Sequence, residues 1–332
     1  MRSSAASDVY KRQVLTPIAK ERNSLNKTKR VIALGFFDGV HTGHGALLQR
    51  VTQRARELDA VPTAFTFDRS PTAAITGQHV PLLSSVEDRV WLMRSCYHIQ
   101  EVIVSSFDGM MRMDWRDFIT EYLVRELGVV HIVAGHDFHF GYMGKGNPQR
   151  LQEVCAQLGI GCDIIGKIER EGITISSTYI RTLVAQGEMD RAVEFLGHPH
   201  VLTNRVTHGK KIGSSSLGFP TVNLQVPPQV IVPAFGVYAT RVWVEGRSYI
   251  AVTNVGVRPT VEDNDGRVTV EGFILDFDGD LYGKELRMEF YHRIRGERKF
   301  PSLQELSQEI RRNAEETRAY FLAASQDAPG AR

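Results

Sequence analysis

Two rhythms of apolar and polar positions divide this chain. In its first half, short continuous apolar runs alternate with stretches whose apolar residues recur every three or four positions. The runs are "VIALGF" (Val31–Phe36), "TAFTF" (Thr63–Phe67), "EVIVSSF" (Glu101–Phe107), "HIVAGHDF" (His131–Phe138) and "CDIIGKI" (Cys162–Ile168). Such runs read as strands buried on both faces. Ala46, Leu47, Val51, Ala55 and Leu58 recur at helical spacing, and Val86–Tyr97, Trp115–Leu127 and Pro148–Leu158 read as further helices. Gly128 stands where a helix stops. Strand and helix in alternation predict a parallel α/β sheet, whose ligands bind beyond the carboxyl ends of its strands.

From about Ser176 the rhythm changes. "SSTYIRTLVAQGEMDRAVEFLG" predicts two short helices broken near Gly187, and "GHPH" (Gly197–His200) reads as a junction. Period-two segments follow: "GVYATRVWVEG", "SYIAVTNVG", "RVTVEGFILDF" and "ELRMEFYHRI", with turn signals at Glu245-Gly246 and Asp265-Gly266. They predict an antiparallel barrel or sandwich. Ser302–Ala323 predicts a charged terminal helix with Leu303, Leu306, Ile310 and Ala314 on one face. The expected division is 1–30 as a disordered or non-native extension, 31–196 and 197–325 as domains, and 326–332 as a tail.

Charge and cysteine content narrow the function classes. A net charge of +2 gives no global electrostatic case for nucleic acid. Three cysteines without a C-x-x-C pair argue against a disulfide framework and fit a reducing cytoplasm. No apolar run reaches the length of a membrane span. "MRSSAASDVYKRQ" lacks the apolar core of a secretory signal.

The candidate chemistry begins at "GFFDGVHTGHGALL" (Gly35–Leu48). His41 and His44 stand at i and i+3 across the start of a helix, and so face one way. A helix N-terminus presents unpaired N–H groups and partial positive charge, and Gly43 and Gly45 allow close backbone approach. Together they suit a polyphosphate. Read alone, His41 is equally a turn cap and His44 a surface residue.

H-x-G-H after a strand resembles the signature of the class I nucleotidyltransferases. "GFFDGVHTGH" more closely resembles the opening motif of the prokaryotic bifunctional riboflavin kinase/FAD synthetases. "GHDFHFG" (Gly135–Gly141), "ISSTYIR" (Ile175–Arg181) and "LGFPTVN" (Leu217–Asn223) match that family in order. The resemblance runs from about Val31 to about Ala323. It implies a Rossmann-like nucleotidyltransferase domain that adenylylates FMN, followed by an antiparallel β-barrel flavokinase domain with a terminal helix. ATP is then the co-substrate, Mg²⁺ or a similar divalent ion the cofactor, and riboflavin and FMN the other partners. Neither nucleic acid nor membrane is implied, and weak self-association is left open.

The attacking FMN phosphate is ionised near pH 7, so adenylyl transfer needs positioning and positive charge rather than a strong base. His41, His44 and Arg181 are expected as donors and cations. Gly35, Phe36, Asp38, Gly43, Ser177 and Thr178 are expected to contact nucleotide and phosphate, Ser177 also as a helix cap. Asp137, Phe138 and Phe140 are expected at the flavin, with a place in the core as the plain alternative for both phenylalanines. "TFDRSP" departs from the family, since Ser70 replaces the usual histidine before proline.

Phosphorylating an alcohol differs, because the hydroxyl must lose a proton to a base. Glu271 shares strand parity with Phe273 and Leu275, and a carboxylate on an apolar face needs a purpose or a partner. The resemblance makes Glu271 the base. It assigns Thr221 and Asn223 to Mg²⁺ and the nucleotide, Gly209 and Gly213 to a flap over ATP, and Asn254 and Arg258 to the flavin. "HGKKIGSSSLGF" runs one residue long, with Ser215 or Ser216 where an arginine is common. Two other readings compete: another H-x-G-H nucleotidyltransferase, or a flavin- or nucleotide-binding protein with one half inactive.

Overall fold

The computed structural model describes residues 28–207, 221–227, 229–257 and 268–326. Packing divides the chain into two compact units. One holds the chain up to Val80 together with Arg89–Ile175, and the other holds Pro81–Asp88 together with the chain from Ser176.

The first unit is built on five parallel strands: β1 (Arg30–Leu34), β2 (Val61–Phe67), β3 (Glu101–Ser105), β4 (Val129–Gly135) and β5 (Gly161–Ile165), in the order β3-β2-β1-β4-β5. Val31–Leu34 are buried because strands flank β1 on both sides and helix α1 (Thr42–Glu57) packs against it. The order reverses at β1, which makes the gap between the carboxyl ends of β1 and β4 the switch point of the sheet. β2 ends at Phe67 as expected, whereas β1, β3, β4 and β5 end two or three residues short of the expected runs because the residues beyond turn away to form loops. Helix α2 (Pro71–Thr76) follows β2, and α3 (Val86–Tyr97) precedes β3. The expected helix from Trp115 is α-helical only to Asp117. Phe118–Glu126 is π-helical, which turns Phe118, Ile119, Tyr122 and Leu123 together into the core. α4 (Pro148–Leu158) has the predicted bounds, with Asn147 as cap and Pro148 in its first turn. A two-residue hairpin of β6 (Glu169–Arg170) and β7 (Ile173–Thr174) follows β5.

The second unit holds a closed barrel, which decides between barrel and sandwich. Its strands are β8 (His200–Thr207), β9 (Thr221–Leu224), β10 (Gly236–Val244), β11 (Arg247–Val257), β12 (Val268–Ile274) and β13 (Glu285–Gly296), in the order β10-β11-β12-β9-β8-β13. Thr240, Thr253 and Met288 meet inside: the two hydroxyls are 2.7 Å apart, and Thr253 Oγ1 donates to Met288 Sδ at 3.4 Å. The terminal helix α7 (Leu303–Gln326) lies against β10, β11 and β13. Ile310 and Ala314 are buried as expected, but so are Glu309, Asn313 and Thr317. Arg295 explains the first two, bonding Glu309 at 3.1 Å and Asn313 Oδ1 at 3.2 Å.

Helices α5 (Ser177–Gln186) and α6 (Met189–Leu196) break at Gly187, as predicted. They lie on the barrel's side of the division, with α6 against β8 and β13. By packing, α5 and α6 therefore group with the barrel. No helix among the described residues is long and apolar enough to cross a membrane.

Candidate active sites

The turn leaving β1 is shaped by backbone conformations that side chains rarely adopt. Phe37, Gly39 and Val40 have φ of 57°, 75° and 42°. For a β-branched residue this is a true outlier, and such positions cost about 1–3 kcal/mol each. Burial of Phe37 and Val40, 1% and 0% exposed, offsets that cost. Gly35 is required sterically, since a Cβ there would lie 2.9 Å from the tip of the Phe37 ring. The carbonyl of Phe36 accepts from Thr66 Oγ1 at 2.8 Å and from Arg89 Nη1 at 2.7 Å. Asp38 is buried within the turn.

The turn delivers His41 to the N-cap of α1. Its ring Nδ1 accepts the backbone N–H of His44 at 3.2 Å, so the cap reading holds. An Nδ1 that accepts carries no proton, which places the ring N–H of His41 at Nε2. The His41 and His44 rings stack with centroids 3.6 Å apart and planes 12° apart. Gly43 makes room for this pair, since a Cβ on it would sit 3.1 Å from His41 Nδ1. Burial, then His41, then Arg89 hold the His44 pKa well below the usual histidine range. This corrects one expectation: near pH 7, His44 is a neutral hydrogen-bonding ring rather than a cation. Its Nδ1 is buried without a hydrogen-bond partner among the described residues.

Leu34 pairs with Ala134, so the turns after β1 and β4 leave the sheet side by side. Asp137 is exposed there, and Phe138 is half-buried. Phe140 is a core residue, stacked on Phe138 and packed against Phe118, each at 5.6 Å between centroids. For Phe140 the plain alternative prevails, because its bridge to Gly146 turns the ring inward. Ser70 has a local use: its hydroxyl accepts from Ala73 N at 3.3 Å as the cap of α2, with Pro71 following.

In the second unit, Ser176 rather than Ser177 caps α5, accepting from Tyr179 N at 3.3 Å. Ser177 is the first helical residue. Arg181 Nη2 donates to Thr178 Oγ1 at 3.0 Å, so these two share one face of α5.

Three barrel strands carry a polar row. Asn223 on β9 lies opposite Glu271 on β12, which lies opposite Asn254 on β11. Asn223 Nδ2 donates to Glu271 Oε1 at 3.4 Å. Val270, Gly272 and Ile274 face the barrel interior, and Glu271 is half-buried on the opposite face, where Phe273 and the buried Leu275 pack with Val237, Val252 and Ala314 as a second apolar cluster. The apolar face is therefore as expected, and the amides on either side supply the partner a carboxylate needs there. Thr221 opens β9 opposite Phe273. Its side chain, and Gly209, Gly213, Ser215, Ser216 and Arg258, lie outside the described residues. Among those described, no cluster of three His, Cys, Asp or Glu could hold a metal. Mg²⁺ does not demand one, because it commonly takes one or two protein oxygens, waters and substrate phosphates. The Asn223 amide oxygen and the Glu271 carboxylate are donors of that kind.

Sequence reading missed Arg89, which is fully buried against the turn leaving β1. The available signal was a cation one helical turn before Met93, on the apolar face of α3.

Two family models match the chain: FAD synthetase over residues 23–179 and riboflavin kinase over residues 196–321. A bifunctional riboflavin kinase/FMN adenylyltransferase of Pseudomonas fluorescens is 36% identical over 295 residues, covering 89% of this chain and 93% of the relative. That of Bacillus subtilis is 33% identical over 298 residues, with the same coverage. The crystal structure of macrolide-efflux protein from Streptococcus pneumoniae superposes with a TM-score of 0.76 at 28% identity, covering 88% of this chain and 95% of that one. With two family models in order and relatives above 30% identity along nearly its whole length, this chain belongs to the bifunctional riboflavin kinase/FMN adenylyltransferases.

Proposed function

We propose that the two activities of this enzyme are divided as their chemistry requires, with phosphorylation of riboflavin assigned to 197–325 and adenylylation of FMN to 31–196. ATP is the co-substrate of both steps. In the first step Glu271 accepts the proton of the ribityl hydroxyl, whose oxygen attacks the γ-phosphorus of ATP as ADP departs. Asn223 orients the carboxylate through its amide. Thr221 and Asn223 would hold Mg²⁺, which when bound neutralises charge on the transferring phosphates. Gly209 and Gly213 are assigned to the ATP flap, and Asn254 and Arg258 to the flavin.

In the second step an FMN phosphate oxygen attacks the α-phosphorus of ATP, and pyrophosphate departs. No proton has to be removed. His41 and His44 donate to phosphate oxygens as these gain charge, supported by the first N–H groups of α1, with Gly35 and Gly43 assigned to the nucleotide and phosphate. Phe36 and Asp38 shape the turn. Asp137 and Phe138, on the neighbouring turn, are assigned to the flavin. Ser177, Thr178 and Arg181 are assigned to phosphate on the strength of the motif, which Arg181→Ala tests separately.

The observation that carries this division is the Asn223–Glu271 pair on the barrel row. A cytoplasmic location fits the three free thiols, and weak self-association remains part of the proposal. Purified protein given riboflavin, ATP and Mg²⁺ is expected to yield FAD. His44→Ala should stop at FMN, and Glu271→Gln should fail with riboflavin yet still convert supplied FMN. FMN as the sole product of the unaltered protein would mean an inactive transferase half.

A further inference from the structure

We propose that Arg89 is a positioning residue of the adenylyl-transfer site, fixing the Phe36 carbonyl and through it the turn that presents His41 and His44. The inference rests on the assignment of that histidine pair to FAD formation.

Arg89 lies on α3, outside each of the four motifs, and is 0% exposed. Burying a guanidinium is expensive unless its hydrogen bonds are specific. Its Nη1 reaches three acceptors: Phe36 O at 2.7 Å, Thr66 Oγ1 at 2.9 Å and Phe67 O at 3.1 Å. Its Cζ lies 4.3 Å from the centroid of the Phe36 ring, so the same residue is held by carbonyl and by face. Thr66 Oγ1 also donates to Phe36 O, closing a triangle between the ends of β1 and β2. Phe36 is the last residue before the positive-φ run of Phe37–Val40. A turn with that much local cost keeps its shape only when its surroundings over-determine it, and this clamp sits at its entrance.

The charge has a second consequence. The groups acting on His44 are His41 from the turn and Arg89 from α3, and both oppose its protonation, as does burial. A cation beside the turn therefore keeps the ring free to donate one hydrogen bond without adding charge, while the turn stays fixed.

The test compares Arg89→Met and Arg89→Lys in the full-length enzyme, with FMN formation from riboflavin as the internal control. Arg89→Met should lower kcat for FAD formation from FMN about 100-fold, leave FMN formation within twofold, and raise the pH at which His44 titrates by NMR. Arg89→Lys keeps the charge, but its nitrogen stops one bond short of the Nη1 position and lacks the planar face that lies over the Phe36 ring. It should lose kcat while leaving the His44 titration in place. Equal loss of both activities in the lysine variant, or full FAD formation in either, overturns the proposal. If Arg89→Met does not fold, the lysine variant decides alone. His44→Ala run alongside separates the layers: should it leave FAD formation intact, the site assignment itself fails.

Discussion

The two regions proposed to handle phosphate are built from opposite materials. The first places two stacked histidines on a buried turn with unfavourable backbone angles, and one of them is kept neutral. The second places a carboxylate on the outer face of a barrel, between two amides, on regular strands. The difference follows the nucleophile. A phosphate oxygen arrives ionised, so the first region has only to hold donors still, and rigidity serves that end. An alcohol arrives protonated, so the second needs a proton acceptor, which an ordinary strand can carry. Among the described residues of these two regions, positive φ at non-glycine positions falls on the histidine turn, at Phe37 and Val40, and not on the strands that carry Asn223, Asn254 and Glu271.

The sharpest way to break this contrast is Glu271→Gln. It keeps the Asn223 contact but removes the proton acceptor, and FMN formation should fall about 10³-fold while supplied FMN is still converted. Chromatography of the flavins separates the two products. Next in size is a pH effect on the barrel. Burial pushes the His200 pKa down to about 4, against about 6.5 for a histidine in an unfolded chain, and its Nε2 lies 3.0 Å from the carbonyl of Ile231. The unfolded chain then binds the extra proton, so stability is lost as pH falls from about 6.5 towards 4, by about 3 kcal/mol. Urea unfolding at several pH values measures the slope, and His200→Gln should flatten it. His44 and His131 are displaced in the same direction in the first unit, so only the variant assigns the slope to the barrel.

His44→Ala removes one donor and should cost FAD formation about 10²-fold, with FMN formation unchanged. Gly43→Ala probes how closely the turn must be fitted. Its methyl presses on the His41 ring, so a loss of about tenfold in kcat is expected from misplacement. A normal rate would mean that the first region tolerates movement, and the contrast with the barrel would weaken. Smallest is Ser70→Ala, which removes the cap of α2 and should lower stability by about 1 kcal/mol. An effect on FAD formation beyond that loss would give Ser70 a role at the site.

Much of this was legible because period and punctuation dominate locally. The apolar run Val31–Leu34, the helix after His41 and the break at Gly187 are all written in neighbouring residues. What stayed hidden depends on distant ones. Strand β8 carries Asn204 and Arg205 amid its apolar positions and offers no clean alternation. The stripe of α7 includes Glu309 and Asn313 because Arg295 waits on β13. Phe140 looked like a ligand contact until Gly146 turned it inward. Arg89 could be placed only once the ends of β1 and β2 were seen together. The cap at Ser176 rather than Ser177 is a one-residue matter that adjacent serines cannot settle without backbone angles.

The ring of six strands in the second unit has a consequence for how copies of the enzyme meet. A ring that closes on itself leaves no row of unpaired amides along a rim, the usual template on which one sheet recruits the next. The seam between β8 and β9, only two residue pairs long, is where a neighbouring strand would find the least resistance, and pairing elsewhere around the ring must rely on side chains.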